Sequence, residues 1–333
     1  MKKSYIALLI VLCTAIVFVL YLLIGGKGIY NKALPNVDFS ILGAFKNNPL
    51  QDTLYINVED GKDEVLYAKA KRLAKSLRDE GVNVRINEKG NHSSGNLNLY
   101  VASNKHSLPK VIDNASINIL YIPYVSSDDD FEIFRNFDVV IVKSISSYSH
   151  LKAINVRTAY IPDAIDIKTS SLSPKLKAMF IGDNNEFSLS LYLAKNKDFD
   201  IYGKNWTHTE HSKKIKNENI DDNNFSKYSI TLCDQTEEEI ANSIVNDKVI
   251  RILENGGLPL VRYNQGIKHI FQDDVVMYYN EEDFNRKFEE LISDKNLVKE
   301  KRKAIFEKAK NWNTKITANK FIEIFMIMKQ KKI

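Results

Sequence analysis

The chain has 333 residues, carries 47 Lys+Arg against 42 Asp+Glu for a net charge of +5, and is 44% hydrophobic and 27% charged. Those values exclude a small single module, wholesale disorder and a polytopic membrane protein, and the length suits about two globular domains. The positive excess is spread without a Lys/Arg block, so no nucleic-acid partner is expected, and the two cysteines, Cys13 and Cys233, support neither a disulfide framework nor a cysteine-based zinc site.

After a short tail at residues 1–4, residues 5–24 (YIALLIVLCTAIVFVLYLLI) contain no charge. At 1.5 Å per residue that run matches a hydrocarbon core of roughly 30 Å, so one membrane-spanning helix is expected. A cleaved leader would have a shorter apolar region and a small-x-small site, and none follows Ile24 cleanly. Lys2 and Lys3 on one side nearly balance Lys27 and Lys32 on the other, leaving the orientation open. Residues 25–51, with Gly25-Gly26, Pro35 and Pro49, read as a stalk.

From 52 to 166 apolar strands alternate with helical or polar stretches. TLYINV at 53–58 is followed by Val65, Ala68, Leu73, Ala74 and Leu77 at helical spacing, with Gly81 as the stop. Further strand-like runs stand at 82–86, 97–102, 117–122, 139–142 and 158–161. Such alternation predicts a parallel sheet covered on both faces. A Pro-containing passage, YIPDAID at 160–166, leads into a Ser-rich segment, and the alternation restarts over 174–315. Strands are expected at 177–182, 200–203, 229–233, 258–262 and 275–279, and helices at 188–194 and 249–255. After Glu282 the chain reads as helical, ending in a helix over 316–333.

The motif with most chemistry is IVNDKVIRILENGGLPLVRY at 244–263. Lys248, Arg251 and Glu254 recur at helical spacing, and Gly256-Gly257 stops the helix before a buried strand. Two cations and a carboxylate there suit a nucleoside diphosphate, with cations for phosphate and a carboxylate for sugar hydroxyls. The same spelling fits a solvated helix face with an i, i+3 ion pair. Gly182 and Gly203, the latter followed by Lys204, end strands where backbone can approach a ligand. Neither a G-x-G-x-x-G nor a P-loop occurs, which counts against dinucleotide oxidoreductases and Walker-type NTPases. His208 and His211 form the one close histidine pair, in a stretch that reads as a loop, and no metal site is expected.

The second half resembles GT-B glycosyltransferases, particularly the family-1-like transferases grouped with spore-maturation (CgeB-like) proteins. The matching pieces are FIG at 180–182, IYGKNW at 201–206, SKYSITLC at 226–233, NDKVIRILENGGLPLV at 246–261, GIKHIF at 266–271 and VVMYYNEEDF at 275–284. The resemblance implies an α/β architecture of two Rossmann-like domains facing a cleft, with the acceptor on the first, the nucleotide-sugar donor on the second, and a C-terminal helix packing back. By motif, Glu254 matches the glutamate that holds the donor ribose and Arg251 the basic residue before it. Gly256-Gly257 matches the small-residue turn, while Gly182, Lys204 and Lys248 complete the expected donor site without metal or cofactor. Asn246 stands where related retaining enzymes carry a glutamate, which leaves the stereochemistry open. A shorter resemblance, to α-1,3-fucosyltransferases, shifts the phosphate contact toward Lys248.

These readings lead to a membrane-anchored, single-pass glycosyltransferase that uses a nucleotide sugar and a glycan, glycolipid or protein acceptor, with its body on the cytoplasmic side if the source is bacterial. The alternative is a catalytically degenerate GT-B-like scaffold. Asp60, His92, His106, Asp128 and His150 are equivalent candidates for a catalytic base, and sequence selects none of them.

Overall fold

The fold follows from two runs of buried parallel strands. The structure, a computed structural model, describes residues 50, 52–58, 64–88, 97–109, 112, 115–126, 131–168, 174–183, 188–206, 215–217 and 222–332. The expected membrane segment at 5–24 and nearly all of the stalk lie outside these residues. Among the described residues no helix is long and apolar enough to cross a membrane.

The first half runs β1 (Leu54–Val58), α1 (Glu64–Asp79), β2 (Val84–Glu88), β3 (Leu97–Val101), β4 (Ile117–Ile122), β5 (Val139–Val142), α2 (Ile145–Ala153) and β6 (Thr158–Tyr160). Its six strands form one parallel sheet in the order β2-β1-β3-β4-β5-β6. LNLYV and VVIV are buried at every position, as strands covered on both faces must be. Four asparagines cross this sheet as a hydrogen-bonded ladder: Asn87 donates to Asn57 (2.8 Å), Asn57 to Asn98 (3.4 Å) and Asn98 to Asn118 (3.2 Å). Three of them are buried, and each amide satisfies the next, which removes the cost of taking them from water.

The second half runs β7 (Lys175–Ile181), α3 (Leu189–Leu193), β8 (Phe199–Tyr202), β9 (Ile215–Asn217), β10 (Tyr228–Leu232), α4 (Glu237–Ala241), α5 (Asp247–Glu254), β11 (Pro259–Arg262), α6 (Gln265–Phe271) and β12 (Val276–Tyr278). Three further helices follow: α7 (Glu281–Ser293), α8 (Lys295–Ala309) and α9 (Thr314–Lys332). The sheet order is β12-β11-β10-β7-β8-β9, all parallel, so the chain starts at the centre, walks to one edge, returns and walks to the other. That is the dinucleotide-binding order 3-2-1-4-5-6, whose reversal lies between β7 and β10. Helices α7 and α8 cover a core that includes Phe199, Phe225, Phe284 and Phe288. From α8, the buried Arg302 holds the start of β10 through the carbonyls of Ser226 (2.9 Å) and Tyr228.

Helix α9 returns to the first half. The Ile165 amide donates to the Trp312 carbonyl (2.9 Å), and the Asp166 carboxylate accepts from the Thr314 amide (3.0 Å) and hydroxyl, capping the helix start. The helix then packs on α1 and β4, with Phe321 edge-on to Tyr121 at 5.2 Å between ring centroids and Lys329 paired with Asp52 at 2.5 Å.

Helices α2, α4 and α6 and strand β9 fall in stretches where sequence periodicity is silent. The helices are short and their starts are set by side-chain caps: Ser144 for α2, a reciprocal Thr236–Glu239 capping box for α4, and Asn264 for α6.

Candidate functional site

In an open parallel sheet, ligands bind beyond the carboxyl ends of the strands where the order reverses. In the second half that place is the end of β7 and β10, occupied by Gly182 and Cys233. The Gly182 amide donates to the Tyr202 carbonyl (3.0 Å), and its carbonyl accepts from the Trp206 indole (2.9 Å). Gly203 lies so close that an added Cβ would sit 2.0 Å from the Gly182 oxygen, and its φ of +153° excludes most side chains. The Lys204 amide donates to the Asp183 carboxylate (2.7 Å), which fixes the loop after β8 against the loop after β7.

Helix α5 aims two faces at two places. Lys248, in its first turn, carries its Nζ to within 3.8 Å of where a Gly182 Cβ would be, and its charge acts on buried Cys233, whose thiol burial pushes up to about 12. Among the described residues Lys248 has no carboxylate partner. Asp247, Ile250, Arg251 and Glu254 form the other face and line a cleft of about 390 Å³. Asn246 caps this helix, accepting from the Val249 amide (2.8 Å) while donating to Glu239 (3.1 Å) and the Asp234 carbonyl (3.3 Å).

The helix ends in a Schellman turn. The Gly257 amide reaches the Ile252 carbonyl (2.9 Å), the Gly256 amide reaches that of Leu253 (3.0 Å), and Gly256 has φ of +73°. The two glycines therefore set where the helix stops and where Glu254 ends up. Glu254 accepts from the Asp166 amide (3.3 Å), and its own carbonyl accepts from Lys168 (2.9 Å), tying α5 to the connection between the halves. Burial raises the Glu254 carboxyl above its usual value; the Asp166 amide and the charges of Lys168 and Arg72 oppose the shift without cancelling it.

The opposite wall comes from the first half and from α9. Lys69 and Arg72 project from α1, Tyr121 from β4, Lys143 from the end of β5, and Asp163 from the chain after β6, with Phe321 of α9 beside them. Lys143 is 7% exposed and binds Asp163 at 2.5 Å. Burial by itself pushes Asp163 up, but Lys143, Lys69 and Arg72 outweigh it and hold the carboxyl below its usual range. Burial first, and then the nearby Asp163 carboxylate, hold the Tyr121 hydroxyl well above the ordinary tyrosine value. Across the cleft Lys69 meets Asp247 at 3.0 and 3.3 Å.

Of the residues expected to form a donor site, the structure brings Arg251 and Glu254 into the cleft. Gly182 and Lys248 come together at the adjacent sheet edge, and Lys204 is attached beside them through Asp183. Gly256 and Gly257 act through the turn. Among the base candidates, Asp60, His92 and Asp128 lie outside the described residues, as do His208 and His211. His106 sits on an exposed single turn and the His150 ring lies tilted against Phe131 at 4.7 Å; neither lines the cleft. Sequence reasoning passed over Lys69, Arg72, Tyr121, Lys143 and Asp163, although Lys143 is legible as a charge directly abutting the apolar run VVIV. Among the described residues no group of three or more His, Cys, Asp or Glu is arranged to hold a metal ion.

Two facing parallel Rossmann-like sheets, a cleft between them and a closing helix that returns to the first half define the GT-B glycosyltransferase fold. Among solved structures, the chain resembles sucrose-phosphate synthase from Thermosynechococcus elongatus, with a TM-score of 0.55 and 10% identity over 84% of this chain and 100% of that one. It also resembles TarM of S. aureus, solved in complex with Fondaparinux, alpha-GlcNAc-glycerol and UDP, with a TM-score of 0.51 and 12% identity over 68% of this chain. The chain spans 55% of TarM and 53% of a chain in the GtfA/B complex, which it matches with a TM-score of 0.46 and 12% identity. No family model matches the sequence, and no curated protein matches it.

Proposed function

We propose that the chain is a membrane-anchored glycosyltransferase, related to the CgeB-like group, that moves a sugar from a nucleotide donor to a glycan, glycolipid or protein hydroxyl. The observation that carries this reading is the arrangement on α5. Lys248 stands without a carboxylate partner among the described residues, beside Gly182 at the reversal point of the second sheet. Arg251 and Glu254 stand one and two turns on, facing the cleft. In this reading the diphosphate lies against Lys248, Arg251 and Lys204, whose charges offset the negative charge that grows on the leaving group, with no bound metal. Glu254 accepts hydrogen bonds from the donor ribose. Residues 5–24 anchor the protein, and in a bacterial cell, where nucleotide sugars are cytoplasmic, the body faces the cytoplasm.

Asn246 favours a second reading, a GT-B-shaped scaffold at the membrane, because its side chain is consumed by structural bonds where retaining relatives have a glutamate. One experiment separates the two. Thermal unfolding of the full-length chain in detergent is followed across nucleoside diphosphates and nucleotide sugars, with Glu254→Ala as control. The enzyme reading expects one nucleotide to stabilise the protein, by about 2.7 kcal/mol at a hundredfold excess over Kd, and the variant to lose that gain. Absence of any shift in a folded wild-type chain leaves the scaffold reading.

A further inference from the structure

The described lining of the cleft contains four carboxylates: Asp163, Asp166, Asp247 and Glu254. Three have other work. Asp166 caps α9 with both oxygens, on the Thr314 amide and hydroxyl. Asp247 lies in the first turn of α5, 66% exposed, and faces Lys69 with both of its oxygens. Glu254 belongs to the donor half and takes the Asp166 amide. Asp163 alone of the four stands at the carboxyl edge of the first sheet. The Ile161 amide, paired with the Val142 carbonyl at 3.0 Å, keeps the chain before it alongside β5. Its Oδ1 binds Lys143 at 2.5 Å, its side chain remains 25% exposed, and buried Lys143, with its Nζ 5.2 Å from the ring centroid of the partly buried Tyr121, forms a polar floor beside it. The two histidines that the structure describes as base candidates are absent from this lining.

We propose that Asp163 receives the acceptor: its carboxylate orients the incoming hydroxyl and takes the proton, and Lys143 is the positioning residue that fixes it. The assignment rests on the glycosyltransferase reading. In the step, a displacement that inverts the anomeric carbon, the acceptor oxygen bonds to that carbon of the donor sugar. The bond from that carbon to the diphosphate oxygen breaks, its electron pair leaves with the nucleoside diphosphate, and the acceptor proton ends on Asp163. The hydroxyl becomes strongly acidic only as its new bond forms, so a carboxylate that stays ionised at neutral pH is a competent late proton acceptor. Lys143, Lys69 and Arg72 supply the positive charge that keeps it ionised, with Tyr121 and Tyr160 the other titratable groups facing it among the described residues.

The test uses the full-length chain, the nucleotide sugar whose diphosphate stabilises it most, and water as the acceptor, with release of nucleoside diphosphate as the readout. Asp163→Asn is expected to lower release about 100-fold while keeping the thermal shift given by the nucleotide. Since Asp163→Asn strands a buried ammonium, the double variant Asp163→Asn/Lys143→Met keeps the floor neutral and is expected to show the same loss. Lys143→Met alone is expected to move the acid limb of kcat/KM to higher pH, a change that a purely structural role would not produce. Unchanged release in the folded double variant overturns the assignment. So does loss of the nucleotide shift in folded Asp163→Asn, which would make Asp163 a donor-binding group. A wild-type chain that no nucleotide stabilises overturns the glycosyltransferase reading and this one with it.

Discussion

Glu254 is half-buried at the end of α5, and its carboxyl is raised above the ordinary 4.5 by burial. Folding therefore favours its protonated form, and the stability it contributes is full below pH 4.5 and lost as pH rises through the folded value. At neutral pH the ionised group is a net cost, which the Asp166 amide and the charges of Lys168 and Arg72 reduce without cancelling. Glu254→Gln, which keeps the oxygen that accepts from Asp166, is expected to match or exceed the wild-type melting temperature at pH 7 and to lose stabilisation by nucleotide. Lys320 works with the same sign logic for a base. Burial against Trp312, with Nζ 3.7 Å from the ring centroid, lowers it to about 8, and the charge of Glu323 opposes that shift. Folded and unfolded chains then bind protons differently between about pH 8 and 10.5, with the unfolded chain binding more, so stability rises with pH across that window. Lys320→Met is expected to raise the melting temperature at pH 7, with the gain shrinking toward pH 10 in a series of thermal melts.

At the scale of the element, α5 is specified by its two ends more than by propensity. Asn246→Ala removes the bond to the Val249 amide and is expected to cost about 1 kcal/mol in urea unfolding. Asn246→Glu is expected to cost more than the alanine. The new carboxylate would lose the amide donor and meet Glu239, now 3.1 Å from the Asn246 nitrogen. At the other end, Gly256→Ala puts a Cβ on a residue with φ of +73°, a conformation that costs roughly 1–2 kcal/mol for an L side chain. Helix α9 is held differently, by burial. Phe321 is fully buried between the helix and Tyr121, and Phe321→Ala is expected to cost about 3–5 kcal/mol by denaturant unfolding.

At the scale of the molecule, the described residues of the two halves meet through polar contacts and through aromatic packing. Ser144 and Ser146 donate to the Asn242 carbonyl, Tyr124 donates to Glu238, Lys69 pairs with Asp247, and Tyr160 packs edge-on to His269 at 5.2 Å. The Lys69 and Asp247 side chains are 27% and 66% exposed, so water and salt screen the pair. Lys69→Met is expected to change stability by less than about 1 kcal/mol. The apolar runs that form both sheets were legible in sequence because a strand buried on both faces spells a continuous apolar segment. The short helices α2, α4 and α6 were not, since a single capped turn or two carries no period to read. Arg251 and Glu254 were legible because three-residue spacing brings them onto one side of one helix. The reversal point beside Gly182 could be approached only through resemblance, because strand order is a property of pairing rather than of any single strand. By itself the sequence determined the alternation of strands and helices, the two-part α/β architecture and the cation-carboxylate face of α5, all consequences of local periodicity. Only the tertiary structure decided the cleft's far wall, where Lys143 meets Asp163, and the Lys69–Asp247 pair that crosses the cleft. Each of those contacts joins residues distant in the chain, and their partners are set by packing, which no local pattern encodes.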